Sequence, residues 1–265
     1  MIRRAQHLAT AHRLVIKIGT GVLIDPENRI NLKLMESLTS ELARLCRSGR
    51  EVILVSSGAI AFGMLHLGLG ERPREISQKQ ACAAIGQSHL VHHYEQFFAR
   101  AAIKVGQVLL SRDDLENSRR YENAKRTFEQ LLAWKILPIV NENDSVAIEE
   151  LKIGDNDNLS ALVAVATDAH LLVILSHVDG VFSADPRQNP AAVLIPELEH
   201  SELDGLTGVS AAANSELNTG GMMTKMQAAR VCAKAGIATA IVNGCVPETI
   251  HRLLAGEAVG TIIYP

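Results

Sequence analysis

Apolar and polar positions along the chain follow two alternating rhythms. Leu14 to Ile18 is a short apolar run closed by Gly19, Thr20 and Gly21, and it reads as a strand. From Asn31 onward, Leu34, Leu38, Leu42 and Leu45 recur at helical spacing on one face, and Gly49 supplies the position just past the helix end. Val52 to Val55, rich in β-branched residues, is a second strand and runs into the sharp turn Ser56-Ser57-Gly58-Ala59. Strand, helix, strand is the opening of a parallel α/β sheet, because parallel neighbours need a crossover.

The alternation persists. Ser77 is placed to cap a helix through the 80s and 90s, Val105 to Leu110 reads as a strand, and Ser118 to Ala133 as a helix. Ile136 to Val140 is the next strand, and Asn158 to Ala166 is apolar nearly all round, as a helix pressed on a sheet would be. Leu171 to Leu175 is the unbroken apolar run of a strand covered on both faces. A helix over Met222 to Ala235, a strand over Ile237 to Val242, Pro247 at a helix N1 position and a final strand from Thr261 to Tyr264 complete the reading. These units predict an α/β fold with an open, mainly parallel, doubly wound sheet. A (β/α)₈ barrel is the rival; uneven spacing across Gly180 to Gly221 speaks against it. No internal repeat and no Pro- or Ser-rich linker divides residues 1–265, which read as one domain of two joined lobes.

Composition narrows the class. With 265 residues, 47% of them apolar, the chain can bury a sizeable core. The formal charge of -3, with basic residues scattered, excludes the concentrated basic patch of a nucleic-acid binder. No apolar run approaches the roughly 18–20 residues of a membrane span, and the N-terminal MIRRAQHLATAHR lacks a signal peptide's apolar core. Cys46, Cys82, Cys232 and Cys245 lie far apart without a CxxC pair, as reduced thiols do, so a cytoplasmic protein without a membrane partner is expected.

In a parallel α/β protein the ligand lies beyond the carboxyl ends of the strands. Four polar clusters stand there: Lys17-Ile-Gly-Thr-Gly, Val55-Ser-Ser-Gly-Ala, Val140-Asn-Glu-Asn-Asp and Ile153-Gly-Asp-Asn-Asp-Asn. Lys17 sits inside an apolar run, where an ammonium is costly unless it snorkels to water, is paired or faces a ligand; Gly19 and Gly21 beside it let backbone N–H groups approach an anion. A fifth segment, Asn218-Thr-Gly-Gly-Met-Met-Thr-Lys225, opens a helix, whose N-terminus favours phosphate. Helix capping accounts for one of Asp155, Asn156, Asp157 and Asn158, not for four. Together with Asn141, Glu142, Asn143 and Asp144 they supply the amides and carboxylates that a zwitterionic amino acid requires. GxxxxGK[ST], GxGxxG, HRD, DFG and GxSxG are all absent, so any phosphate chemistry uses lysines and glycines instead. His89, His92 and His93 share a helix but lack the partners of a zinc site, and they read with Phe97 and Phe98 as a packing or interface face.

VIKIGTGVL, VILVSSGAIAFG, KQACAAIGQ, VGQVLL, ILPIVNENDSV, IGDNDNLSALVA, SADPR and TGGMMTKMQAA, in this order, resemble the signatures of the glutamate 5-kinases of the amino acid kinase family. The resemblance implies a three-layer αβα sandwich with an N-terminal glutamate-binding lobe and a C-terminal ATP-binding lobe. It implies transfer of the ATP γ-phosphate, with Mg²⁺, to the side-chain carboxylate of L-glutamate, the first step of proline synthesis. By the family's pattern Lys17 and Lys225 are the catalytic pair and Asp157 organises them. Ser57, Gly58, Asn141, Asp144, Asp155 and Asn156 fall at the substrate. Lys17, Gly19, Ser176, His177 and the stretch Thr219, Gly220, Gly221, Met222, Met223, Thr224 and Lys225 fall at the nucleotide. Proline as feedback inhibitor, a homodimer or homotetramer, and hand-off to a glutamyl phosphate reductase also follow from the resemblance. Two departures stand out: Ser176-His177 replaces a common Thr-Asp or Ser-Asp pair, and the C-terminal PUA domain of many relatives does not follow Pro265. Other amino acid kinases, acting on N-acetylglutamate, aspartate or a nucleotide, and a non-catalytic amino-acid or nucleotide sensor are the competing expectations.

Overall fold

Strand side chains alternate between two apolar layers, and that alternation organises the molecule. The computed structural model describes residues 2–25, 27, 29–146, 156–205 and 221–265. Among them the strands β1 (Arg13–Ile18), β2 (Glu51–Ser56), β3 (Lys104–Leu110), β4 (Ile136–Glu142), β5 (Leu171–Ser176), β6 (Glu197–Glu199), β7 (Ala238–Asn243) and β8 (Thr261–Tyr264) form one sheet. Their order is β3-β4-β2-β1-β5-β7-β8-β6, parallel throughout except for the antiparallel β7–β8 pair. The sheet is open, so the barrel alternative falls.

On β1, Leu14, Ile16 and Ile18 enter one core, while Val15 enters the other. The first core is completed by α1 (Ile2–Thr10), α3 (Leu32–Arg47), α5 (Ile76–Arg100) and α10 (Thr249–Leu254), through residues such as Leu8, Leu38, Phe98 and Leu253. The second is completed by α7 (Ser118–Ala133), α8 (Asn156–Ala166) and α9 (Met222–Lys234), through Phe128, Val163 and Ala229. Helix, sheet, helix is therefore the layering, an αβα sandwich. The short helices α2 (Thr20–Leu23), α4 (Ala59–Leu67) and α6 (Arg112–Glu116) follow directly on strands β1, β2 and β3.

Strand order also places the site. The chain lays β2, β3 and β4 on one side of β1, then crosses to put β5 and β7 on the other. The reversal leaves a crevice at the carboxyl end of β1. Helix α8 makes that crossing and packs over β1, so its N-terminus overhangs the crevice.

Several local expectations need correction. The long α5 starts at Ile76 with extended Glu75 as its N-cap, which puts Ser77 inside the first turn, not at the cap. Pro247 precedes the N-cap of α10; Glu248 holds that position with φ 59°. β7 runs Ala238–Asn243, one residue later at each end than read, and α8 begins at Asn156, two residues earlier. Gly49 does stand just past α3, at φ 90°. No helix among the described residues is long and apolar enough to cross a membrane.

Candidate active site

Lys17 falls on the same side of β1 as Val15, the side covered by α8 and α9, because strand side chains alternate. Asp157 stands in the first turn of α8 and Lys225 one turn into α9. The three meet: Lys17 Nζ is 2.6 Å from Asp157 Oδ1, and Lys225 Nζ donates to Asp157 Oδ2 at 2.9 Å. Thr224 Oγ1 donates to the same Oδ2 at 2.8 Å. All three charged residues are buried, at 4%, 0% and 5% exposure, so they form a desolvated group of two cations and one anion. Burial pushes the Asp157 carboxyl up, but the Lys17 and Lys225 charges and their hydrogen bonds outweigh it and hold the group well below the usual carboxylate range. The N-terminal end of the α8 dipole favours the same anion.

The Gly19 N–H is already engaged, against the expectation that it approaches an anion. It donates to Leu175 O at 3.3 Å, while Lys17 Nζ lies 3.5 Å from where a Cβ would stand. A Cβ there would meet the ammonium at ordinary van der Waals distance.

Beside the lysines lies a cluster of amides. Asn156 Nδ2 donates toward Ser56 O at 3.0 Å, Ser57 Oγ at 2.9 Å and Asn141 Oδ1 at 2.9 Å. Asn141 Nδ2 in turn donates to Gln87 Oε1 at 2.6 Å. Ser56 also bonds the buried Tyr94 hydroxyl at 3.0 Å, which fixes the strand end from behind. Gly58 follows as N-cap of α4 with φ 103°, a backbone conformation that permits the sharp strand-to-helix turn and that a Cβ would strain. Asp144 lies past β4 in a turn closed by Val146 N–H to Asn143 O at 3.1 Å. Asp155 lies outside the described residues.

The expected nucleotide residues flank the far side of the lysines. Ser176 ends β5, buried, and its carbonyl accepts the Gly244 N–H at 2.8 Å. His177 follows it; burial first, then the nearby Lys225 and Arg187 charges, push the imidazole pKa below its ordinary value. Gly221 is the N-cap of α9, Met222 is half-buried and Met223 exposed. Thr219 and Gly220 lie outside the described residues.

Comparison with known proteins identifies the family. The sequence profile of the amino acid kinase family matches residues 12–243. A glutamate 5-kinase of Carboxydothermus hydrogenoformans is 49% identical over 261 residues, covering 97% of this chain and 69% of the relative. One of Geobacter metallireducens is 47% identical, covering 99% and 70%. The chain belongs to the amino acid kinase family, among its glutamate 5-kinases. A glutamate 5-kinase of Symbiobacterium thermophilum, 45% identical, is covered over 97% of both chains. Among solved structures, carbamate kinase of Giardia lamblia bound to AMP-PNP superposes with TM-score 0.70 at 16% identity, over 97% of this chain and 99% of that one. UMP kinase of Bacillus anthracis does so at 0.66 and 17%, over 96% of each. At such identity these two establish the fold alone.

Within this glutamate 5-kinase chain, the structure brings Lys17, Asp157, Lys225 and Thr224 into one contact group, and Ser57, Asn141 and Asn156 into another. Gln87 joins the second group and was not singled out from the sequence; its one signal is its place at the end of the KQACAAIGQ segment. It sits mid-helix on α5, away from the strand ends where a parallel α/β fold gathers its ligand-binding residues. Among the described residues His89, His92 and His93 share no hydrogen bond, ion pair or ring contact with either group: His66 and His89 lie with ring centroids 4.0 Å apart at 31°, and no metal-holding cluster occurs among the described residues. A separate cavity of about 550 Å³, lined by Leu67, Leu69, Arg72, Pro73, Arg74 and Cys82, shares no residue with either group.

Proposed function

We propose that the chain transfers the γ-phosphoryl group of ATP to the side-chain carboxylate of L-glutamate, giving L-glutamyl 5-phosphate and ADP, the opening step of proline synthesis. The observation that carries this reading is the buried Lys17–Asp157–Lys225 group beside a pocket of oriented amides, in a glutamate 5-kinase chain. Glutamate is held on the β2–β4 side by Ser57, Gly58, Asn141, Asp144, Asp155 and Asn156. ATP is held on the β5–β7 side by Ser176, His177 and the stretch from Thr219 to Lys225. These are the two lobes of one domain.

The acceptor carboxylate, with an ordinary pKa of about 4.3, is already ionised at neutral pH, so no strong general base is required. The obstacle is repulsion between two anions that must meet in line. Lys17 and Lys225 offset it, and their Nζ groups stabilise charge on the transferring phosphoryl oxygens. Asp157 orients both ammonium groups instead of taking a proton. The first N–H groups of α4, which carry no side-chain cap, add donors at the Gly58 turn. The donor set of two paired ammonium groups suits phosphate oxygens and not a protein-built cation cage, so it fits Mg²⁺ arriving with the nucleotide. When bound, Mg²⁺ supplies charge neutralisation across the β- and γ-phosphates.

A homodimer or homotetramer, inhibition by proline at the glutamate pocket, and hand-off of the labile acyl phosphate to a reductase belong to the same reading. The deciding experiment measures ATP consumption with L-glutamate, L-aspartate and N-acetyl-L-glutamate as acceptors. Glutamate-dependent turnover is expected; turnover only with another acceptor, or none, defeats the proposal. Added proline should raise the half-saturating glutamate concentration in the same assay.

A further inference from the structure

Three carboxamides form a chain whose direction the backbone fixes. The N–H of Glu142 donates to Asn141 Oδ1 at 2.9 Å, and because a backbone N–H only donates, the other end of that amide is Nδ2. Asn141 Nδ2 donates to Gln87 Oε1, which leaves Gln87 Nε2 facing away from the contact. At the other end, Asn156 Nδ2 lies 3.0 Å from Ser56 O, an atom that only accepts, so Asn156 Oδ1 faces away in turn. Both outer atoms, Gln87 Nε2 and Asn156 Oδ1, are buried and have no hydrogen-bond partner among the described residues. Buried amide atoms are nearly always paired in folded proteins, so an unfilled donor and an unfilled acceptor at the two ends of one chain ask for a ligand carrying both complements. An amino acid zwitterion carries both: a carboxylate to accept and an ammonium to donate.

Gln87 is also held in place. At Gly86, the residue before it, an added Cβ would stand 1.8 Å from Ala59 O and 2.3 Å from Gly63 N, so α5 presses directly on the backbone of α4. Helix α4 begins at the Gly58 turn that follows Ser57. The amide of Gln87 is thereby registered against the substrate pocket through backbone contact.

We propose that Gln87 is a substrate-binding residue that donates from Nε2 to the α-carboxylate of the amino acid acceptor, while Asn156 Oδ1 accepts from its ammonium. The α-carboxylate is the partner because Asn156 adjoins Asp157 and the lysines, and Gln87 stands two amides farther from the phosphoryl group. This rests on the glutamate reading above.

The test compares L-glutamate with its α-amide, L-isoglutamine, which keeps the ammonium and the side-chain carboxylate but has a neutral amide at the α position. Wild-type protein is compared with Gln87→Met and Gln87→Glu, each checked by thermal denaturation. In Gln87→Met, kcat/KM for glutamate should fall about 10- to 100-fold, the usual loss for a hydrogen bond to a charged group, mostly through KM. The value for the α-amide should change less than about threefold, and the KM for ATP less than about twofold. Gln87→Glu keeps an acceptor for Asn141 but opposes the α-carboxylate with a like charge, so it should reverse the preference toward the α-amide; it decides the matter alone if the methionine variant does not fold. Equal losses on both acceptors, or a wild-type protein that uses the α-amide as well as glutamate, would overturn the assignment. Absence of any glutamate-dependent turnover in wild type strikes the proposed function instead.

Discussion

At the scale of single residues, the site separates charge from recognition. Lys17 and Lys225 come from segments about 200 residues apart and converge on one carboxylate, within 2.6 and 2.9 Å. Removing a well-aimed transition-state donor typically costs about 3–4 kcal/mol, or a hundred- to thousandfold in rate. Lys225→Ala and Lys17→Ala should each lower kcat by that order, measured by steady-state turnover on protein shown to be folded; an unchanged kcat would remove the residue from the catalytic pair. Asp144→Ala should act differently and raise the glutamate KM with little change in kcat, because it is assigned to the glutamate side of the site. An effect confined to the ATP KM would place Asp144 on the wrong side of the phosphoryl group. Lys17 and the run holding Asp157 were legible before any coordinates, since an ammonium in a covered strand and four polar residues before an apolar helix both violate packing economy; Lys225 and Asp144 take their roles from the family resemblance. Gln87 was not legible: a glutamine in a half-polar helix looks like an ordinary solvated position until its partner is known.

Between elements, the structure depends on polar contacts that periodicity does not reveal. Glu41, on the inner face of α3, is 2% exposed and accepts the backbone N–H groups of Glu248, Ile250 and His251 at 3.1, 3.1 and 3.4 Å. It therefore caps α10 from a distance, a task for which Glu248, at φ 59°, makes no side-chain cap bond of its own. Glu41→Ala leaves those donors buried and should destabilise the fold by about 1–3 kcal/mol in urea denaturation, with Glu41→Gln recovering part of the loss. An alanine variant as stable as wild type would show that water serves the helix end equally well. Proline suits a first helical position, which is why Pro247 reads as N1; the acceptor that satisfies the helix end stands 207 residues from Glu248. Helix α1 escaped reading for a related reason. Its sequence IRRAQHLAT is largely polar, and it is anchored by Leu8 in the core and by Arg4, whose Nη1 donates to Pro196 O at 3.1 Å. The buried strands, by contrast, announced themselves as unbroken apolar runs because both faces of the sheet are covered.

For the molecule as a whole, Asp157 is the point where β1, α8 and α9 are tied together, and that makes the active site part of the fold's stability. Removing one partner of a buried ion pair typically costs about 3–5 kcal/mol, because the other charge is left without compensation. Asp157→Asn keeps the shape and leaves Lys17 and Lys225 repelling each other in a desolvated place, so a loss of that size is expected, with a fall in melting temperature on the order of 10 °C. The pH dependence has a definite sign. The Asp157 carboxyl is held below its ordinary pKa of about 3.9, so its stabilising contribution is complete above that value and fades as pH falls below it. The stability gap between wild type and Asp157→Asn should therefore stay level from about pH 8 to 5 and narrow below about pH 4. A polyanion at the lysines should replace the missing carboxylate, so a saturating non-hydrolysable ATP analogue with Mg²⁺ should raise the melting temperature of the variant more than that of wild type. Thermal denaturation of both proteins, with and without the analogue, decides it. A variant as stable as wild type, with no greater response to the nucleotide, would mean that the two ammonium groups find their counter-charge elsewhere and that the phosphoryl clamp is not built around this carboxylate.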